Sequence, residues 1–115
     1  MQQSAVLPEF SCDVRPDRER AVVQVGGELD FGVAERVARA VDELLDVGFT
    51  ALVVDLRELT FLDSGGVHAL VSARGAAERR GCALSLVRGP RNVHRVFELT
   101  GTDSLFAFAD VPGRR

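Results

Sequence analysis

Hydrophobic residues along this chain change period several times, and each change marks an element. From Val33 the apolar positions Val33, Val37, Val41, Leu44 and Leu45 fall on one helical face, while Glu35, Arg39, Asp42, Glu43 and Asp46 fall on the other. This predicts an amphipathic helix that Gly48 closes. Residues 51–56, Ala-Leu-Val-Val-Asp-Leu, form a β-branched-rich run of the kind that builds a buried parallel strand. Val67, Leu70, Val71 and Ala77 then recur at helical spacing, predicting a second helix from about Ser64 to Arg80, ahead of Gly81. Residues 82–87 read as another strand. Pro90 suits the first turn of a third helix, with Val93, Val96 and Phe97 as its apolar stripe and Gly101 at its end. Leu105, Phe106, Ala107 and Phe108 predict a final edge strand or short helix. Ahead of all these, residues 10–14 alternate weakly, residues 16–19 make a polar turn and residues 21–25 alternate again, which predicts an antiparallel hairpin.

The order β β α β α β α, with a short terminal element, places the chain in the α/β class. Strands separated by helices imply right-handed crossovers between parallel neighbours, and the opening hairpin adds one antiparallel pair. The expectation is one mixed sheet of four to five strands with helices mainly on one face. With 115 residues, the chain has room for a single domain, expected over residues 9–110, with flexible tails at 1–8 and 111–115.

Composition narrows the function. Seventeen acidic against fourteen basic residues give a formal net charge of −3, so there is no electrostatic footprint for nucleic acid and none favouring a membrane surface. Seven Phe with no Trp or Tyr make a stacking platform for bases or sugars unexpected. Cys12 and Cys82 are far apart in sequence, no apolar run reaches about 18 residues, and no charged-then-apolar leader opens the chain. These features are read as a reduced, soluble, cytoplasmic protein.

The segment Phe61-Leu62-Asp63-Ser64-Gly65-Gly66 stands between the central strand pattern and the second helix pattern, and puts a serine at a helix start. There a hydroxyl lies near free backbone N–H groups and the positive end of the helix dipole, an environment that tolerates a phosphate. The same pattern is served if Ser64 or Asp63 is simply an N-cap.

Three segments, in order, resemble a STAS domain of the anti-sigma factor antagonist type, and the resemblance covers most of the chain. Gly27-Glu28-Leu29-Asp30 is similar to the family's motif after its second strand. Val54-Asp55-Leu56 followed by Leu62-Asp63-Ser64-Gly65-Gly66 is similar to its phosphorylation segment. Val96 through Phe106 is similar to its closing helix and turn. The resemblance implies that Ser64 is the acceptor serine of an ATP-dependent kinase that is also the anti-sigma factor, and that a separate serine phosphatase resets it. Asp30, Asp63, Ser64, Gly65 and Gly66 are then the partner-binding residues, with Asp30 and Asp63 orienting the loop and the hydroxyl. Two positions depart from the family's pattern. Gly65 replaces the usual Ser, Ala or Thr and is expected to add flexibility. Phe31-Gly32-Val33 follows Asp30 without a Ser or Thr, leaving Asp30, Gly32 or water to cap the first helix.

Other residues keep ordinary roles. His68 and His94 lack Cys or carboxylate partners at ligand spacing and are read as surface histidines, so no metal is expected. Gly26-Gly27 and Gly65-Gly66 match no nucleotide-binding fingerprint, so no cofactor is expected. Arg88, Arg91 and Arg95 read as a solvated basic face, and Cys82 as a small buried apolar residue, with a redox role left open. An enzymatic triad of Ser64, Asp63 and a histidine is disfavoured, because the segment is not the Gly-x-Ser-x-Gly elbow and His68 lies one turn along the same helix. The rival function is a STAS module serving as a scaffold or subunit of a stress-signalling or lipid-transport complex.

Overall fold

The computed structural model describes residues 10–109, so the tails expected at 1–8 and 111–115 lie outside the described residues. Strands β1 (Phe10–Asp17) and β2 (Arg20–Leu29) form the antiparallel hairpin. Helix α1 (Ala34–Val47), β3 (Ala51–Leu62), α2 (Ser64–Arg79), β4 (Ala83–Val87) and α3 (Arg91–Thr100) then alternate. A 3-10 turn (Asp103–Leu105) and the two-residue strand β5 (Ala107–Phe108) close the described chain. The sheet order is β1-β2-β3-β4-β5, with every pair after the hairpin parallel. Each crossover steps one strand in the same direction, so right-handed connections put all three helices on one face. This is the mixed α/β sheet that the pattern predicts, at the five-strand end of its range.

The core lies between that face and the helices. Ala21, Val23 and Val25 of β2, Leu52, Val54 and Leu56 of β3, and Leu84 and Leu86 of β4 point into it. Val37, Val41, Leu44 and Leu45 of α1, Leu70, Ala73 and Ala77 of α2, and Val93 and Phe97 of α3 meet them there. Gly48 and Gly101 take left-handed φ values of 105° and 72° and end α1 and α3, where an L side chain would be strained.

Three boundaries differ from expectation, each for a local reason. Pro16 and Asp17 belong to β1, and the turn narrows to Arg18 and Glu19. Proline is tolerated because β1 is an edge strand. β2 runs on to Leu29, and β3 does not stop at Leu56 but runs to Leu62. The β2–β3 register shifts between Gln24 and Gly26 and again between Gly27 and Glu28, which are β-bulges. Each shift changes the parity of β3, so its buried leucines fall at 56, 59 and 62 instead of alternating. The terminal segment forms both of the elements that were alternatives, a short 3-10 helix and an edge strand.

Beside the first bulge a partly exposed arginine pairs with a buried carboxylate of the sheet. Asp55 is 1% exposed and receives bonds from Arg57 at three points: the backbone N–H (3.0 Å), Nε (3.0 and 3.2 Å) and Nη2 (2.7 Å). Burial pushes the Asp55 carboxyl up, but the Arg57 hydrogen bonds and charge, with a bond from Gln24, outweigh it and hold the group below its ordinary 3.8. Removing the guanidinium by Arg57→Ala leaves a buried carboxylate underbonded, a cost of about 2 kcal/mol, or a melting point lower by roughly 8 °C. Because the folded value lies below the unfolded one, this stabilisation is complete above the unfolded value and is lost as pH falls through the folded one. Melting curves of wild type and Arg57→Ala should therefore be furthest apart near pH 7 and converge between about pH 5 and pH 2; a gap that does not vary with pH would contradict this.

Candidate functional site

The bulges carry β3 far enough for Leu62, buried in the core, to deliver Asp63 directly to the start of α2. Asp63 has extended backbone and is the N-cap: its Oδ1 accepts from Gly66 N at 2.9 Å, and its carbonyl from Val67 N at 3.0 Å. Such a cap contributes about 1 kcal/mol. Its other oxygen, Oδ2, accepts from Phe31 N at 3.3 Å, and its own N–H donates to Leu29 O at 3.3 Å. One carboxylate thus ties the head of α2 to the turn that precedes α1.

That turn, residues 30–33, is folded by Asp30. Its Oδ1 accepts from Gly32 N at 2.9 Å and its carbonyl from Val33 N at 3.2 Å. Of the caps open to α1, Asp30 therefore shapes the turn one step earlier, while the N-cap position itself falls to Val33, which has no side-chain bond to give. Phe31, at the tip, has its backbone N–H held by Asp63 and is 83% exposed.

The two glycines are there for close approach. A Cβ on Gly65 would lie 2.9 Å from Phe31 Cα and Cβ; one on Gly66 would lie 2.5 Å from Leu29 O and 2.7 Å from Leu62 Cδ1. Gly65 is accordingly not a source of flexibility at this junction. It is the reason the Phe31 turn can sit against α2.

Ser64 is the first residue of α2 and is exposed. With Asp63 as cap, its hydroxyl makes no hydrogen bond among the described residues, and the amides of Ser64 and Gly65 have no acceptor there either. The serine opens onto a shallow depression bounded by Phe31, Gly32 and Glu35 on one side and by Ser64, Gly65 and His68 on the other. Asp63, Ser64, Gly65 and Gly66 lie together at this junction, and Asp30 joins them through the turn it folds. Asp63 orients the loop but does not touch the hydroxyl. Phe31, Glu35 and His68 were not picked out as members of the site. The i, i+4 spacing of Ser64 and His68 was the available signal for one of them.

A second depression, on the sheet face away from the helices, contains Asp55 and Arg57, which bond each other. His94 is not a surface histidine: it is 7% exposed, because α3 turns it toward Phe108 of β5, whose ring meets it edge-on at 5.1 Å. Burial pushes the Cys82 thiol up, and it does the same at Cys12 against the opposing charge of Arg36, which disfavours a reactive thiolate at either. Among the described residues no group of three or more His, Cys, Asp or Glu side chains could hold a metal. No helix among them is long and apolar enough to cross a membrane.

A family profile described as "Mlab, STAS domain" matches residues 12–107. The chain belongs to the STAS domain family. The chain is similar to a protein of Listeria monocytogenes named anti-sigma-B factor antagonist, 28% identical over 97 residues that cover 84% of this chain and 85% of the relative. The crystal structure of an anti-sigma factor antagonist from Mycobacterium paratuberculosis superposes with a TM-score of 0.81 at 25% identity, covering 94% of this chain and 92% of that one. The Bacillus cell fate determinant SpoIIAA, solved in its phosphorylated form, shares the fold with a TM-score of 0.66 at 22% identity, covering 87% and 92%. In this STAS domain the candidate site lies where β3 hands over to α2.

The glycine contacts yield a ranking. Gly66→Ala drives a methyl into a backbone carbonyl and a buried leucine, and should cost about 1–3 kcal/mol despite alanine's better helix propensity. Gly65→Ala makes a less severe overlap, 2.9 Å with the exposed Phe31 and none with a core leucine, and should lower the melting point less. Thermal denaturation of both variants checks this, and equal or reversed losses would contradict the tighter approach at Gly66.

Proposed function

We propose that this STAS domain is an anti-sigma factor antagonist switched by phosphorylation of Ser64. Unmodified, it binds an anti-sigma factor that is also a serine kinase and so frees the sigma factor; modified, it lets go until a serine phosphatase resets it. The observation carrying this reading is the free Ser64 hydroxyl. Asp63 has taken the capping role, so the serine has no structural duty, and two unbonded amides lie beside it. The names of the Listeria and Mycobacterium relatives support the antagonist role, and the phosphorylated form of SpoIIAA supports the modification. The cytoplasm, where sigma factors act, is the compartment that fits.

In the transfer step Ser64 Oγ attacks the γ-phosphorus of ATP. An O–P bond forms as the bond to the ADP oxygen breaks, and the hydroxyl proton passes to a base of the kinase. The product carries about −1.5 to −2 charges. At the N-terminus of α2 this gains roughly 0.3 to 1 kcal/mol, which offsets part of the repulsion from Asp63, so the fold survives. Across an interface, one unit of charge facing a like charge at about 4 Å costs on the order of 4 kcal/mol at an effective dielectric of 20, equivalent to roughly a thousandfold in affinity. Binding is switched, and folding is not.

Incubation with the cognate kinase and ATP should add one phosphate, mapped by mass spectrometry to Ser64 and absent in Ser64→Ala. Modification of Ser72, Ser85 or Ser104 instead would overturn the assignment. By titration calorimetry, Ser64→Asp should weaken capture of the anti-sigma factor at least about tenfold while the melting point moves only a few degrees; unchanged affinity would favour the scaffold reading. Phe31→Ser, at a rigidly held and exposed aromatic, should weaken capture by about tenfold or more without lowering the melting point.

A further inference from the structure

His68 lies one helical turn beyond Ser64. Side chains on a helix lean toward its N-terminus, so the residue at i+4 reaches back over the residue at i. Both are exposed, and both border the depression between the heads of α1 and α2. Among the described residues His68 has no hydrogen-bond or ion-pair partner, and no other basic side chain borders that depression. Its surroundings are acidic. Glu35 borders the same depression from α1, with Arg39 4.0 Å from Glu35 on the same helix. Asp63, beside the serine, has both oxygens committed to the amides of Gly66 and Phe31. The nearby Arg36 is stacked over the Phe10 ring, 4.8 Å from its centroid. A phosphate on Ser64 would therefore have two carboxylates for neighbours and one side chain able to supply positive charge.

We propose that His68 is the counter-charge of the modified serine, its imidazolium holding the phosphate of phosphoserine 64 along α2. This rests on the reading of Ser64 as the phosphate acceptor. The pairing is specific to the modified state, since a neutral hydroxyl offers an imidazolium little. It makes that state sensitive to pH over the range in which phosphate and imidazole both titrate. Phosphate and histidine then share protons as a coupled pair, and each changes the other's titration.

The test uses protein carrying phosphoserine encoded at position 64, so that no kinase is needed. The chain has two histidines, and His94, buried under Phe108, serves as the internal control. Followed by NMR, the His68 imidazole should titrate at least about half a pH unit higher in the phosphorylated than in the unmodified protein, with the His94 signal unmoved. In phosphorylated His68→Gln the phosphorus-31 titration midpoint should move up by a few tenths of a unit, because the cation that favours the dianion is gone. A His68 midpoint that is the same in both forms, or a phosphorus titration indifferent to His68→Gln, would overturn the pairing. A kinase that leaves Ser64 unmodified would instead remove the functional reading, so the two failures are separable.

Discussion

The Asp63 carboxylate is the constraint from which the rest of the site follows. Each oxygen serves a different segment: Oδ1 closes the first turn of α2 through Gly66 N, and Oδ2 fixes the tip of the 30–33 turn through Phe31 N. Those segments are more than thirty residues apart in sequence and become neighbours only because β2 and β3 pair in parallel up to Leu29 and Leu62. With both oxygens used, the cap is complete without help from Ser64. A serine in the cap would have bound its oxygen to a backbone amide, and modifying it would have cost α2 its first turn. With the aspartate as cap, a change at the Ser64 hydroxyl leaves the hydrogen bonds of the cap in place.

Getting Asp63 to that point depends on the irregularity of β3. A regular strand pairing with β2 would keep a two-residue period and send every second residue to the core. Two register shifts instead bring Leu56, Leu59 and Leu62 into the core in turn, so the strand stays anchored along its extra length. The bulge between Asp55 and Glu58 places Arg57 where it can close over Asp55, so that a buried carboxylate on the far face of the sheet is fully bonded. The same irregularity thus lengthens the strand that carries the site and stabilises its middle.

Much of the frame was legible in the amino-acid sequence because local rules and tertiary packing agreed. α1 and α3 begin and end within a residue or two of the positions predicted from their apolar stripes and from Gly48 and Gly101, whose left-handed conformations require glycine. The full length of β3 was not legible, because a bulge replaces the alternation on which strand recognition depends, and the leucines at 59 and 62 carry no period of two. His94 was misplaced for a related reason. Whether a polar residue beside Val93 and Phe97 faces water depends on what covers it, and Phe108 comes from a strand only two residues long. In the site, Asp63, Ser64 and the glycines were legible as a contiguous segment, but the purpose of Gly65 was not. Its neighbour is Phe31, and nothing local connects the two.

Phe31 shows how the same contacts can serve both rigidity and recognition. An exposed aromatic ring on a mobile loop would lose conformational entropy on binding and return little net affinity. Here the ring projects from backbone that is fixed on two sides, by a hydrogen bond from its own N–H to Asp63 and by the missing side chain of Gly65 against its Cα and Cβ. The backbone ordering cost has been met during folding, so a partner docking there, as proposed, would have to order only the side chain. Ser64 lies across the same shallow depression, which means that an apolar anchor and a chargeable hydroxyl are presented together on one rigid edge. On the proposed reading, a phosphate at one end of that edge would oppose docking without disturbing the anchor, and its removal would restore a surface that never had to refold.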